Sequence, residues 1–84
     1  MFIKTTTGTL VNLDKVFKID LVRKDVRSVI MAYFEPTNPV SITLGEYVSL
    51  EQATKEKEKI EDALVCGMRM HTIGEEVLNQ HEDN

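Results

Sequence analysis

The longest regular pattern in the chain spans residues 49–71. Leu50, Ala53, Ile60 and Leu64, with Ala63 and Met68 at the margins, recur near 3.6-residue spacing and predict an amphipathic helix. Ser49 is its natural N-cap, because a hydroxyl there accepts from a first-turn N–H that has no intrahelical partner. Gln52, three residues on, completes an S-x-x-Q capping box, and Glu51 places negative charge where the helix dipole favours it. Lys57 interrupts the stripe and is expected to lay its methylenes along a sheet while its ammonium stays in water. The rest of the run 54–59 reads as a solvated face on which like-sign and opposite-sign pairs offset one another. Gly67 offers two endings. It can be the C′ residue, with Met68 returning onto Ala63, or the helix can continue and fray between Gly67 and Thr72. The frayed ending is the expectation, with a short strand just beyond Gly67 as its variant.

Ahead of the helix the period changes to two. Residues 2–6 and 9–12 read as short strands about a Thr7-Gly8 turn, and Leu13-Asp14-Lys15 as a connection. Residues 16–23 alternate Phe17, Ile19 and Leu21 against Lys18, Asp20 and Arg23, the mark of a half-buried strand. Residues 26–34 are apolar on both faces. The two prolines in residues 35–39 exclude a strand interior, and residues 40–46 resume with Val40, Ile42 and Leu44. A short loop at Lys24-Asp25 sets Ile19 opposite Ile30 and Phe17 opposite Ala32. A five-residue loop over 35–39 sets Phe34 opposite Val40, Ala32 opposite Ile42 and Ile30 opposite Leu44. Both loops select the same inward face: Ser28, Ile30, Ala32 and Phe34. The expected fold is α+β, an antiparallel β-meander of about five strands packed against one C-terminal α-helix. It forms a single domain over residues 1–72, followed by an acidic, flexible tail over 73–84.

In that register the opposite sheet face carries Val16, Val22, Val29, Met31 and Tyr33. One helix cannot cover both faces, so these five residues are the candidate interface. Two other arrangements would hide them: a sheet curled into a partial barrel, or a tail laid over it through Ile73, Val77 and Leu78.

Composition narrows the function classes. Eighty-four residues make one small domain. The formal charge of −4 is uneven: residues 1–46 hold six basic and five acidic groups, residues 47–84 four and nine. The acidic half argues against general DNA binding, which needs phosphate-neutralising Lys and Arg. Cys66 is the single cysteine, so no internal disulfide forms. No stretch has the length of a membrane span, and the first residues lack a basic-then-apolar leader. A cytoplasmic protein with no membrane partner is expected.

Candidate chemistry is sparse. Cys66 and His71 lie five positions apart, about 140° around a helix, and so do not face each other as nucleophile and base. His81 is the other histidine. Cys66, Met68, Met70 and His71 are soft ligands in a cluster, but the spaced Cys/His pairs that zinc requires are missing. Neither G-x-G-x-x-G nor G-x-x-x-x-G-K-[ST] occurs. No catalytic residue, metal site or cofactor is expected, and the chain is not read as an enzyme.

The start Phe2-Ile3-Lys4, the Gly8-Thr9-Leu10-Val11-Asn12-Leu13 turn and strand, Leu44-Gly45-Glu46-Tyr47 and the helix start Ser49-Leu50-Glu51-Gln52-Ala53 together form a layout. It resembles that of small uncharacterised proteins of Gram-positive bacteria and their phages or mobile elements, with a β-meander and C-terminal helix. The likeness covers residues 1–66 and implies a bacterial or phage setting, with no activity to transfer. The functional expectation is a non-catalytic protein-interaction or self-association module, a homodimer being one form. The alternative is a nucleic-acid-linked protein. It would bind single strands through a basic hairpin of Lys18, Arg23, Lys24, Arg27 and Tyr33, or mimic nucleic acid with its acidic helix and tail.

Overall fold

A computed structural model of the chain describes residues 1–35 and 40–76. Residues 36–39, with Pro36 and Pro39, and residues 77–84, with Val77, Leu78 and His81, lie outside the described residues. The fold is α+β, built from two three-stranded sheets and one helix.

In the first sheet β1 (Phe2–Lys4) is central, antiparallel to β2 (Leu10–Asn12) and parallel to β6 (Met70–Thr72). The β1–β2 turn closes on Thr5, whose Oγ1 accepts from the Thr9 N–H at 3.0 Å. Gly8 there takes φ +91°, a conformation only glycine adopts without strain. A 3₁₀ turn, Leu13–Lys15, follows, with the Asn12 side chain accepting from the Asp14 N–H. It leads into the second sheet, the antiparallel meander β3 (Lys18–Lys24), β4 (Arg27–Tyr33) and β5 (Ser41–Tyr47).

The β3–β4 hairpin turns on Asp25-Val26, one residue later than Lys24-Asp25, with Asp25 at φ 55°. Asp tolerates this region better than most residues. The turn sets Ile19 opposite Ala32 and Leu21 opposite Ile30, two residues from the expected pairing. A slip of two keeps the face, so Ser28, Ile30 and Ala32 still point inward and are fully buried. Across β4–β5, Ala32 opposes Ile42 and the Phe34 N–H donates to Val40, as the five-residue loop requires. Ile30 opposes Gly45 rather than Leu44, because β5 carries an extra residue at this point. The bulge turns Leu44 into the core and frees its carbonyl to accept from the Thr6 N–H at 3.3 Å, which ties the two sheets together.

Helix α1 (Leu50–Val65) lies across the inward face of the meander. Ser49 caps it as expected, its Oγ accepting from the Gln52 N–H at 3.2 Å. Its far end differs from the frayed ending. The Met68 N–H donates to the Ala63 carbonyl and the Gly67 N–H to that of Leu64, with Gly67 at φ +73°, so a Schellman motif stops the helix sharply. The chain is then free to form β6. Ile3 and Val11 from the first sheet meet Ile30, Ala32, Leu44 and Tyr47 from the second, Ala53 and Ile60 from α1, and Ile73. Burying each large aliphatic here contributes about 1.5–3 kcal/mol.

The expected tail boundary at 72 also moves. Ile73 is 3% exposed, donates its N–H to the Lys4 carbonyl and packs over Gly45, where an added Cβ would come within 2.9 Å of its Cγ2. Ile73 is therefore a core residue, not a cover for the other sheet face, and the packed body continues to Glu76.

Candidate functional site

The five-residue candidate interface does not form an open apolar patch. Val22, Val29, Met31 and Tyr33 share the outward face of the meander, but Val16 packs against the core. The cause is local. Lys18 is in register with Tyr33, yet the Phe17 N–H also donates to the Tyr33 carbonyl, so two residues oppose one and the alternation breaks before β3 begins. Val29 and Met31 are only 2% and 6% exposed. They sit on the central strand, flanked in register by Val22 and Glu46 and by Asp20 and Thr43. The Thr43 hydroxyl donates to the Met31 sulfur at 3.4 Å. Lys18 stands 5.0 Å over the Tyr33 ring and 3.2 Å from the Asp20 carboxylate. Side chains of the flanking strands thus roof the central one.

The same contacts locate the basic hairpin. Lys18 and Tyr33 are engaged with each other, and Arg23 donates to Ser28 Oγ at 3.4 Å. Lys24 and Arg27 remain exposed beside the turn.

The open apolar surface lies on the inward side, where α1 leaves β3 partly uncovered. A groove of about 240 Å³ runs between them, floored by Leu13, Val16, Ile19 and Ile60 and walled by Phe17 and Leu64. Phe17 is 56% exposed and Leu64 49%. Lys57 and Glu61 line its helix side, paired at 2.7 Å, and Lys18 its strand side. Lys57 is placed as its side chain predicts, with its stem in the groove and its ammonium on a carboxylate at the surface. The groove exists because α1 buries Ala53, Glu56, Ile60 and Ala63, a stripe aimed at β4 and β5 rather than at β3. Leu50 and Leu64, expected in that stripe, lie at its exposed margins. Beside the groove β3 is an edge strand.

The opposite flank of α1 is sealed by polar contacts. Glu56, read from sequence as part of a solvated run, is 5% exposed and meets the His71 Nε2 at 2.7 Å. Its spacing after Ala53 and before Ile60 is the signal that would have placed it inside. His71 is thereby engaged with a carboxylate, while Cys66 sits exposed at the helix C-cap. The Tyr47 hydroxyl donates to the Gly74 carbonyl. Burial, then the charges of Glu56 and Glu76, push that phenol well above its ordinary value. Glu76 accepts from the Val48 and Ser49 N–H groups at 2.9 Å each, just ahead of α1. These bonds hold its carboxyl below the ordinary value.

Among the described residues no group of three or more His, Cys, Asp or Glu is placed to hold a metal ion. No described helix is long and apolar enough to cross a membrane. Comparison with family models, curated proteins and solved structures finds no match for the chain. The groove brings together apolar side chains and one ion pair.

Proposed function

We propose that the chain is a non-catalytic protein-interaction or self-association module acting in the cytoplasm, with the β3–α1 groove as its binding surface. The observation that carries this reading is Phe17, a large aromatic more than half exposed at the wall of an apolar groove. Aromatics of this kind anchor interfaces, because their area is large and few torsions are frozen on binding. The strand beside the groove can add main-chain hydrogen bonds to the side-chain contact, a common mode of recognition. The lone cysteine suits a reducing compartment.

The test is capture from the source cell with two tagged forms, wild type and Phe17→Asp. The wild type should recover at least one polypeptide, this chain included, that the variant loses, while circular dichroism shows both folded. Identical recovery by both forms would overturn the reading.

A further inference from the structure

We infer that residues 69–76 form an acid-released strap, which leaves the body as a unit when Glu56 and Glu76 are protonated and before the meander and α1 unfold. The segment is attached by few contacts. Its pairing with β1 spans three residues, bounded by the Phe2 N–H on the Arg69 carbonyl and the Ile73 N–H on the Lys4 carbonyl. Of its side chains only Ile73 belongs to the core. The remaining attachment is polar: His71 on Glu56 at 2.7 Å, the Tyr47 hydroxyl on the Gly74 carbonyl, and the Val48 and Ser49 N–H groups on Glu76. A hinge precedes it. Gly67, at φ +73°, and Met68 are held by the carbonyls of Leu64 and Ala63, so the chain beyond them can leave without unwinding α1.

Both of those carboxylates are strap contacts. Each of the other described ion pairs has a carboxylate at least 48% exposed, where pairing contributes little. Glu56 is faced by His71 of β6 and Tyr47 of β5, with Lys55 and Lys59 of its own helix and Glu75 around the adjoining cavity. Glu76 is faced by Arg27 of β4, by Tyr47 and Glu46 of β5, and by Glu75 beside it. Lys4 of β1, opposite Thr72, lies on the other sheet face from His71. Protonating Glu56 removes the anion that His71 meets. Protonating Glu76 weakens the acceptor of the two N–H groups that lead into α1. Acid is the releasing direction, because those N–H groups hold the Glu76 carboxyl below its ordinary value of about 4.5. Its hold is complete above that value and is lost as pH falls through the depressed one. The meander and α1 rest on main-chain bonds and apolar packing, which do not titrate. Once released, the strap uncovers the β1 edge and the slot beside Gly45 that Ile73 fills.

The experiment is hydrogen exchange of the full chain, read amide by amide by NMR from about pH 7 to about pH 3 and corrected for intrinsic rates. The Phe2 and Ile73 N–H groups join strap to β1. Their protection should fall ~10-fold or more relative to the amides of β4 and of Ile60 in α1, as in a sub-global opening. Glu76→Gln should lower strap protection at neutral pH and shrink its acid dependence, with Ile60 unmoved. Equal loss at Phe2, Ile73 and Ile60 would mean that the molecule unfolds as a whole, and overturns the inference. So does constant protection at Phe2 and Ile73 down to the pH at which Ile60 is lost, and so does an acid dependence that Glu76→Gln leaves unchanged.

Discussion

The two flanks of α1 differ in kind. Toward β6 the helix is sealed by Glu56–His71 with Tyr47–Gly74 beside it, and by Glu76 over the residues that lead into it. Toward β3 it is left open over apolar side chains. The polar flank is closed because each buried polar group meets a partner within the chain. No buried side-chain nitrogen or oxygen among the described residues is left without one. The apolar flank has no such internal completion. Buried polar groups are costly to leave unmatched, whereas an exposed apolar wall costs little until another surface covers it. Internal polar contacts are thus concentrated on one flank and exposed apolar surface on the other.

That contrast breaks most visibly at His71. His71→Ala leaves the Glu56 carboxylate buried without its partner and should cost about 2–4 kcal/mol in urea unfolding. Adding Glu56→Gln should return part of the loss, since the stranded group is then neutral. Equal stability of wild type and His71→Ala would mean that the seal contributes nothing. Next in size is Gly45→Ala, which drives a methyl against Ile73 and the Tyr47 ring. It should cost about 1–3 kcal/mol in a thermal melt.

Glu76 sharpens the same flank through pH. Its folded carboxyl titrates below the ordinary value of about 4.5, held down by the Val48 and Ser49 N–H groups. Its contribution is therefore complete above that ordinary value and is lost as pH falls through the depressed one. Glu76→Gln should remove this part of the acid limb in an acid-unfolding curve, leaving the curve at neutral pH otherwise parallel. The smallest stability change belongs to the open flank. Phe17→Asp should alter unfolding by no more than ~0.5 kcal/mol, as for an ordinary surface site. A loss of several kcal/mol would place Phe17 in the core and close the groove as a binding surface.

Much of the fold was legible in the residues. Ser49 announced the helix, the prolines near residue 36 the break, and the alternation of Ile19 and Leu21 the inward face of β3. The inward face of β4 followed from two loops that agreed. Three things were hidden, each for a physical reason. One irregular residue at Phe17 shifted Val16 to the core side, and no periodicity registers a single bulge. Val29 and Met31 looked exposed because one face had no covering element, whereas flanking side chains suffice to bury a central strand. Glu56 looked solvated among neighbouring charges, although its position between Ala53 and Ile60 is a core position. The groove was hidden for the last of these reasons, since the helix stripe passes through Glu56 instead of Leu64 and leaves β3 half uncovered.

The parallel pairing of β1 with β6 has a consequence in time. Strand β1 has a neighbour, β6, that is made only after the meander and helix have been synthesised. Until then Ile3 lacks Ile73, and the edge of β1 facing away from β2 is unfilled. Contacts so distant along the chain slow folding, because the intervening segment must be ordered before they form. A nascent chain halted at Gly67 should accordingly remain protease-sensitive around β1, and protection should appear in one step once Ile73 has emerged.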